Sequence, residues 1–164
     1  MKLSKWHSFK FIGLASLFVF SAILIHASPA NAAGQFLVGT GIYDITGPAA
    51  ECGMMGYSMP DQKTEGLQMR LRSRAFVVVD PNTGKRVSFV CAEAGIIPQG
   101  VKQAVVKKLL AKYGGLYTDE NVAISATHTH SGPGAYSHYA LYNLSMMGYD
   151  EKHRIIVVGD VVNA

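Results

Sequence analysis

Short apolar runs and segments of helical spacing alternate along the chain, and their order predicts its secondary structure. The apolar run Phe36–Ile42 predicts a strand. Residues 70–80 and 87–92 are rich in apolar and β-branched residues, and Asp80–Gly84 between them has the Pro and Gly of a turn, so a β-hairpin is predicted. Residues 51–66 have no clear period, which indicates a long structured loop.

A βαβ unit is predicted after the hairpin. Apolar positions recur at helical spacing from Pro98, a residue favoured at the first helical position, to the Gly114–Gly115 pair that ends the segment. The next apolar run, Asn121–Ala126, has the length of a strand. Because a helix connects strand 87–92 to this run, we expect the two strands to be parallel neighbours.

Two further segments, residues 136–147 and 151–164, have helical patterns and are predicted as helices. In the second segment Ile155, Ile156 and Val162 are apolar, and no terminating signal precedes the last residue. Together the elements predict the α/β fold class, with the β-hairpin and the βαβ unit forming part of a mixed sheet.

Residues 1–32 have the pattern of a secretory signal peptide. Three lysines precede a 15-residue apolar stretch, Phe11–Ile25, and Ala30–Ala32 has the form of a cleavage site. A membrane-spanning helix is the alternative, but such a helix needs about 20 apolar residues. We therefore expect the segment to be cleaved and residues 33–164 to be exported, either secreted or periplasmic, with no stable transmembrane anchor.

Removing the signal segment changes the charge of the chain. The segment contains three of the 15 Lys and Arg residues and none of the 11 Asp and Glu residues, so the net charge falls from +4 to +1. A nucleic-acid surface needs a clustered basic face, so this composition argues against nucleic acid as a partner.

Two cysteines remain after the signal segment, Cys52 and Cys91. An oxidising compartment permits one disulfide between them. Cysteine is also a frequent buried residue, so two free thiols are the alternative. The sequence leaves both open, because it does not give the Cα separation that a disulfide requires.

The candidate chemistry lies in the segment Ala126–Gly134, ATHTHSGPG, directly after the second strand of the βαβ unit. Residues i and i+2 of an extended segment point to the same side, so His128 and His130 are expected to aim both imidazoles at one point. That point lies beyond the carboxyl end of a parallel strand, where ligands gather in open α/β sheets. A catalytic zinc needs three protein ligands, so two histidines form an incomplete metal site.

Other interpretations of the histidines remain open on spacing alone. A His-x-His pair is a weak motif, and two polar residues in an ordinary loop are the alternative. Ser131 could be a nucleophile with a histidine as its base, but adjacent residues rarely reach that geometry. His138 and His153 fall in helical patterns and are expected to be surface or packing residues.

Over residues 36–164 the chain resembles the amino-terminal part of the neutral/alkaline, non-lysosomal ceramidase family. The segments that carry the resemblance occur in the family's order along the chain: GIYDITG at 41–47, GMMGYS at 53–58, RSRAFV at 72–77, ATHTHSGPG at 126–134 and SHYALYNL at 137–144. This ordered set is far more specific than the His-x-His pair by itself.

The resemblance implies an enzyme that hydrolyses the N-acyl amide bond of ceramide to sphingosine and a fatty acid. Its family uses one Zn²⁺, bound by two His, a Glu and a Tyr, and a serine proposed as the nucleophile. His128 matches a zinc ligand of the family, and His130 matches a residue beside the metal and the reacting carbonyl. The implied partner is a ceramide or related sphingolipid at a membrane or micelle surface, with Met54–Tyr57 as an apolar wall near the site.

The chain departs from the family in two respects. Glu93 stands where the family usually has Asp, and Val162 stands where a serine would be needed for Gly159–Asn163 to match the nucleophile motif. Family members run several hundred residues, and their remaining ligands and nucleophile lie further along the chain. We therefore expect residues 33–164 to be an incomplete portion of a larger catalytic domain, inactive alone. A non-catalytic truncated product and another exported His-x-His metal hydrolase are the alternatives.

Overall fold

The computed structural model describes residues 34–48, 50–56 and 59–164, so the predicted signal peptide lies outside the described residues. Residues 35–164 form one compact unit. Its elements are β1 (Leu37–Asp44), β2 (Ala50–Gly53), β3 (Lys63–Glu65), β4 (Arg72–Val79), β5 (Arg86–Ala92), α1 (Gln99–Tyr113), β6 (Val122–Ala126), α2 (Ala140–Asn143) and α3 (Glu151–Asn163). Single 3₁₀ turns follow α1 at Gly114–Leu116 and α2 at Leu144–Met146.

Four strands form a mixed sheet in the order β1-β4-β5-β6. The predicted hairpin is confirmed: β4 and β5 are antiparallel, and the Gly84 amide donates to the Asp80 carbonyl at 2.8 Å in the turn between them. Gly84 has φ +69°, which explains the glycine in this turn. The predicted βαβ unit is also confirmed, because β6 pairs with β5 in parallel.

One face of the sheet is covered by α1 and α3, which also contact each other. The main core cluster contains Val90 of β5, Val101 and Val105 of α1, and Val157 and Val161 of α3, each at most 4% exposed. The apolar spacing that predicted α1 thus includes the residues that pack on the sheet. In α3 the packing residues differ from those named from the sequence, because Ile155 is 53% exposed while Val157 and Val161 are buried. Pro98 is the residue before α1, with extended backbone, and Gly114 at φ +64° ends the helix.

The opposite face of the sheet carries exposed apolar side chains. Val38, Ile42, Phe76, Val87 and Phe89 are between 43% and 65% exposed. Two arginines of β4 form salt bridges, Arg72 with Asp44 and Arg74 with Glu93. Neighbouring exposed apolar side chains of this kind are typical of a surface on which other protein packs.

Two sequence predictions are wrong in detail. Within the segment predicted as a loop, β2 and β3 pair as a small antiparallel sheet, with Ala50 opposite Glu65. The helix predicted over 136–147 is limited to one turn, α2, and the following 3₁₀ turn. The side chain of Asn143 contributes to the second difference. It donates to the Ser137 carbonyl at 2.6 Å, a group that a helix over 136–147 would need as an acceptor, and it accepts from the Ser137 amide at 3.2 Å.

The structure leaves both cysteines as free thiols, so of the two alternatives it favours the second. Cys52 lies in β2 and Cys91 in β5, and burial raises the pKa of the Cys52 thiol. Among the residues that the structure describes, no helix is long and apolar enough to cross a membrane.

Candidate functional site

The histidine segment begins where β6 ends and stays attached to the neighbouring parallel strand. The Thr127 amide donates to the carbonyl of Ala92 at 2.9 Å, and the Thr129 amide donates to the carbonyl of Ala94 at 3.2 Å. Both acceptors lie at or just beyond the carboxyl end of β5. The two histidines therefore lie at the carboxyl edge of two parallel strands, the position at which ligands bind in α/β sheets.

The structure brings the rings of His128 and His130 together, with ring centroids 4.9 Å apart and an angle of 75° between their planes. The backbone conformation that brings them together differs from the extended one predicted from the sequence. His128 has φ +61°, in the left-handed region, so the segment is not extended at this residue. A left-handed residue other than glycine is uncommon and is often found at functional sites.

A backbone carbonyl fixes the orientation of the His128 ring. Nδ1 of His128 donates to the carbonyl of Gly95 at 2.7 Å. In the neutral imidazole this places the proton on Nδ1 and leaves the lone pair on Nε2. A histidine ligand held in this way is typical of metal sites, in which the second ring nitrogen donates to a carbonyl or carboxylate.

The loop after β2 lies against the histidine segment. The Met55 amide donates to the carbonyl of Gly132 at 3.3 Å, and the Gly134 amide donates to the carbonyl of Gly53 at 3.1 Å. Met54 and Pro133 add an antiparallel bridge between the same two segments. Met55 is 7% exposed, so its side chain is an apolar packing element of this loop, next to the histidine segment.

Tyr136 and His153 support the segment from the core side. Tyr136 is 1% exposed, and its hydroxyl donates to the carbonyl of Ile96 at 3.0 Å and accepts from the Ile96 amide at 3.3 Å. His153 is 3% exposed and donates from Nδ1 to the carbonyl of Gly134 at 2.6 Å. The two rings meet edge to face at 5.0 Å. Burial raises the pKa of Tyr136 and lowers the pKa of His153, so both groups are neutral at pH 7.

His153 is therefore a packing residue, one of the two roles expected for it, and it holds the end of the histidine segment. Its sequence position contained a signal for this role, because Val157 and Val161 follow it at helical spacing on the buried face of α3. His138 is an exposed residue and lies against Gly100 at the start of α1, 6.3 Å between ring centroids from Tyr149. It is not in helical structure, contrary to the prediction.

Glu93 and Ser131 take no part in the contacts that join the two rings. Glu93 accepts from the Arg72 amide at 2.6 Å and pairs with the Arg74 guanidinium at 2.6 Å, so its carboxylate is directed to β4. Ser131 is exposed, and its amide donates to the hydroxyl of Thr129 at 3.2 Å. Glu93, at the position where the family usually has Asp, thus forms an ion pair with Arg74 on the sheet.

The donor set fits part of a zinc site. Imidazole nitrogen is a preferred zinc ligand, and His128 offers Nε2 with its other nitrogen already hydrogen bonded. Within 34–48, 50–56 and 59–164, no group of three or more His, Cys, Asp or Glu side chains could hold a metal ion. His128 could therefore hold one position of a zinc site.

Residues 36–164 match the model of the family described as neutral/alkaline non-lysosomal ceramidase, N-terminal. The neutral ceramidase of Pseudomonas aeruginosa is 45% identical over 150 residues, which cover 91% of this chain and 22% of that protein. The neutral ceramidase of Oryza sativa subsp. japonica is 40% identical over 166 residues, covering 98% of this chain and 21% of that protein.

The fold is also similar to a solved structure. The crystal structure of neutral ceramidase from Pseudomonas aeruginosa superposes with a TM-score of 0.78 at 48% sequence identity, covering 79% of this chain and 21% of that chain. The chain thus spans about a fifth of the length of the curated relatives that it matches.

Proposed function

The chain belongs to the neutral/alkaline non-lysosomal ceramidase family, and on this basis we propose that it forms the amino-terminal part of an enzyme that hydrolyses the N-acyl amide bond of ceramide. The products are sphingosine and a fatty acid. The family match over residues 36–164 is the observation that carries the proposal. The position of two adjacent histidine rings at the carboxyl edge of β5 and β6 supports it.

We propose that His128 is a zinc ligand through Nε2. The hydrogen bond from Nδ1 to Gly95 supports this assignment, because it orients the ring and raises the basicity of the other nitrogen. When bound, zinc polarises an oxygen of the substrate or lowers the pKa of a nucleophile. The remaining ligands and the serine nucleophile are proposed to come from the part of the family's length that this chain does not span.

His130 is proposed to act beside the reacting amide. Its ring meets that of His128 edge to face, so a substrate carbonyl next to a metal on His128 would lie within reach of the His130 ring. An imidazole at this position can donate a hydrogen bond to the developing oxyanion or transfer a proton. Met55, packed beside the histidine segment, would help to exclude water from the amide.

The proposal extends to where the protein acts. Residues 1–32 are proposed to direct export, and the substrate is proposed to be reached at a membrane or micelle surface. Because the described residues supply no third metal ligand, the 164-residue chain is proposed to have no ceramidase activity by itself.

A hybrid enzyme tests this function directly. Residues 36–164 would replace the matching segment of the Pseudomonas aeruginosa neutral ceramidase, to which they are 45% identical over the aligned region. We expect the hybrid to retain zinc and to hydrolyse ceramide. His128→Ala in the hybrid should lose both properties, whereas His138→Ala, at an exposed residue outside the site, should keep both. A His128→Ala hybrid with full zinc content and normal turnover would overturn the ligand assignment.

A further inference from the structure

The ring of His130 lies directly against the α-carbon of Gly56. A Cβ atom added at Gly56 would lie 2.5 Å from Cδ2 and 2.6 Å from Nδ1 of His130, closer than real Cβ contacts. Gly56 also has φ +121°, a backbone conformation that residues with a side chain rarely adopt. The glycine therefore permits both the path of its own loop and the position of the histidine ring.

The residues before Gly56 are hydrogen bonded to the histidine segment. The hydrogen bonds between Met55 and Gly132 and between Gly53 and Gly134 join the two segments on the amino-terminal side of Gly56. The side chain of Met55 is wedged against Gly95 and Gly134, at which added Cβ atoms would lie 2.8 Å and 3.2 Å from Met55 atoms. A side chain at residue 56 would therefore press on the His130 ring while the preceding backbone is held in place.

The atoms nearest to Gly56 are at the root of the His130 side chain, since they include Cγ as well as Cδ2 and Nδ1. Relief of a collision at the root requires rotation about χ1, which moves the whole ring to another rotamer. That rotation would change the separation of 4.9 Å between the centroids of His130 and His128.

We propose that Gly56 is a positioning residue for His130, because its bare α-carbon forms the surface on which the imidazole rests next to His128. The contact between Gly56 and the His130 ring is a property of this chain alone. Its catalytic consequence rests on the proposed function: moving the His130 ring should weaken the step in which it stabilises or protonates the reacting group, with little change in substrate binding.

The structural part is tested by a double-mutant cycle in the 164-residue chain, with Gly56→Ala, His130→Ala and the double variant. Gly148→Ala is the matched control, because Gly148 has φ +144° and no neighbouring atom within 4 Å of an added Cβ. We expect the decrease in melting temperature caused by Gly56→Ala to be at least twice that caused by Gly148→Ala. The excess should disappear when His130 is also Ala. The proposal would be overturned if Gly56→Ala and Gly148→Ala lowered the melting temperature equally and if the effect of Gly56→Ala simply added to that of His130→Ala.

Nuclear Overhauser effects in the unmodified chain give a second test that does not depend on any variant folding. The α-protons of Gly56 should show cross-peaks to the ring protons of His130, and their absence in an assigned spectrum would contradict the proposal.

The catalytic consequence is tested in the hybrid enzyme. Gly56→Ala should lower kcat at least tenfold and leave KM within twofold, whereas Gly148→Ala should leave both near the parent values. An unchanged kcat for Gly56→Ala would refute the positioning role in catalysis. An inactive parent hybrid would count against the proposed function, while the cycle in the isolated chain would still decide the contact between Gly56 and His130.

Discussion

Replacing Tyr136 by Phe should destabilise the chain through a single lost hydroxyl. Tyr136 is 1% exposed, and its hydroxyl satisfies both polar groups of the Ile96 backbone, the carbonyl at 3.0 Å and the amide at 3.3 Å. Burial raises the pKa of the phenol, so it remains protonated and able to donate across the neutral range. The ring of Phe preserves the packing, which isolates the effect of the two hydrogen bonds.

The expected cost follows from the two backbone groups that lose their partner. An unsatisfied buried polar group costs about 1–3 kcal/mol, and Ile96 is only partly buried, so we expect a total of about 1–2 kcal/mol. For a compact unit of this size, each kcal/mol corresponds to roughly 3–5 °C in melting temperature. The Tyr136→Phe variant should therefore melt roughly 3–10 °C below the parent chain.

Thermal and urea denaturation followed by circular dichroism measure this difference, with an unchanged urea m-value as the sign that only stability has altered. Tyr139→Phe is the matched control. Tyr139 is 50% exposed and donates to the Gln99 side chain at 3.0 Å, so water can replace its partner and the change should stay within about 0.5 kcal/mol. Equal stabilities of the two variants would refute the reasoning that the Tyr136 hydroxyl holds the Gly95–Ile96 backbone.

Two further predictions concern the carboxyl-terminal support of the histidine segment. Burial lowers the pKa of His153 below its ordinary value of 6.5, so the unfolded chain takes up a proton first as the pH falls. The stability due to neutral His153 should be complete above pH 6.5 and decrease below it. Between pH 8 and pH 5 the melting temperature should therefore fall less for His153→Phe than for the parent chain. Parallel decreases in the two proteins would contradict the assignment of His153 as a buried neutral residue. Gly47→Ala should destabilise more than Gly84→Ala, because both glycines have positive φ but only Gly47 has the His153 ring 2.9 Å from an added Cβ. Gly84→Ala should lower the free energy of unfolding by about 1 kcal/mol. An equal loss for Gly47→Ala would show that the His153 ring moves aside without cost.

The elements that depend on local chemistry could be predicted from the sequence. The turn at Asp80–Gly84 contains a proline that fixes φ and a glycine that takes positive φ, so the β4–β5 hairpin followed from neighbouring residues alone. The helical spacing of the apolar residues after Pro98 likewise predicted α1, and Val101 and Val105 among them form its buried face. The placement of the histidines at the edge of two parallel strands then followed from the topology.

The remaining features depend on contacts between residues that are distant in sequence. The Asn143 side chain engages the Ser137 carbonyl, which a helix over 136–147 would need as an acceptor, and helical periodicity gives no sign of such a side-chain bond. The ring of His128 is directed by the carbonyl of Gly95, 33 residues earlier, and by a left-handed backbone that spacing rules do not anticipate. The contact between Gly56 and His130 requires the pairing of two loops, which only tertiary structure reveals.

A crystal structure of the hybrid enzyme, with anomalous scattering recorded at the zinc absorption edge, would show directly whether His128 is a zinc ligand. We expect an anomalous peak about 2.0–2.1 Å from Nε2 of His128, the usual length of a bond between zinc and imidazole nitrogen. Nδ1 should still donate to the Gly95 carbonyl. A zinc peak without contact to His128, or one bonded to Nδ1 after loss of that hydrogen bond, would contradict the assignment of His128 as a ligand through Nε2.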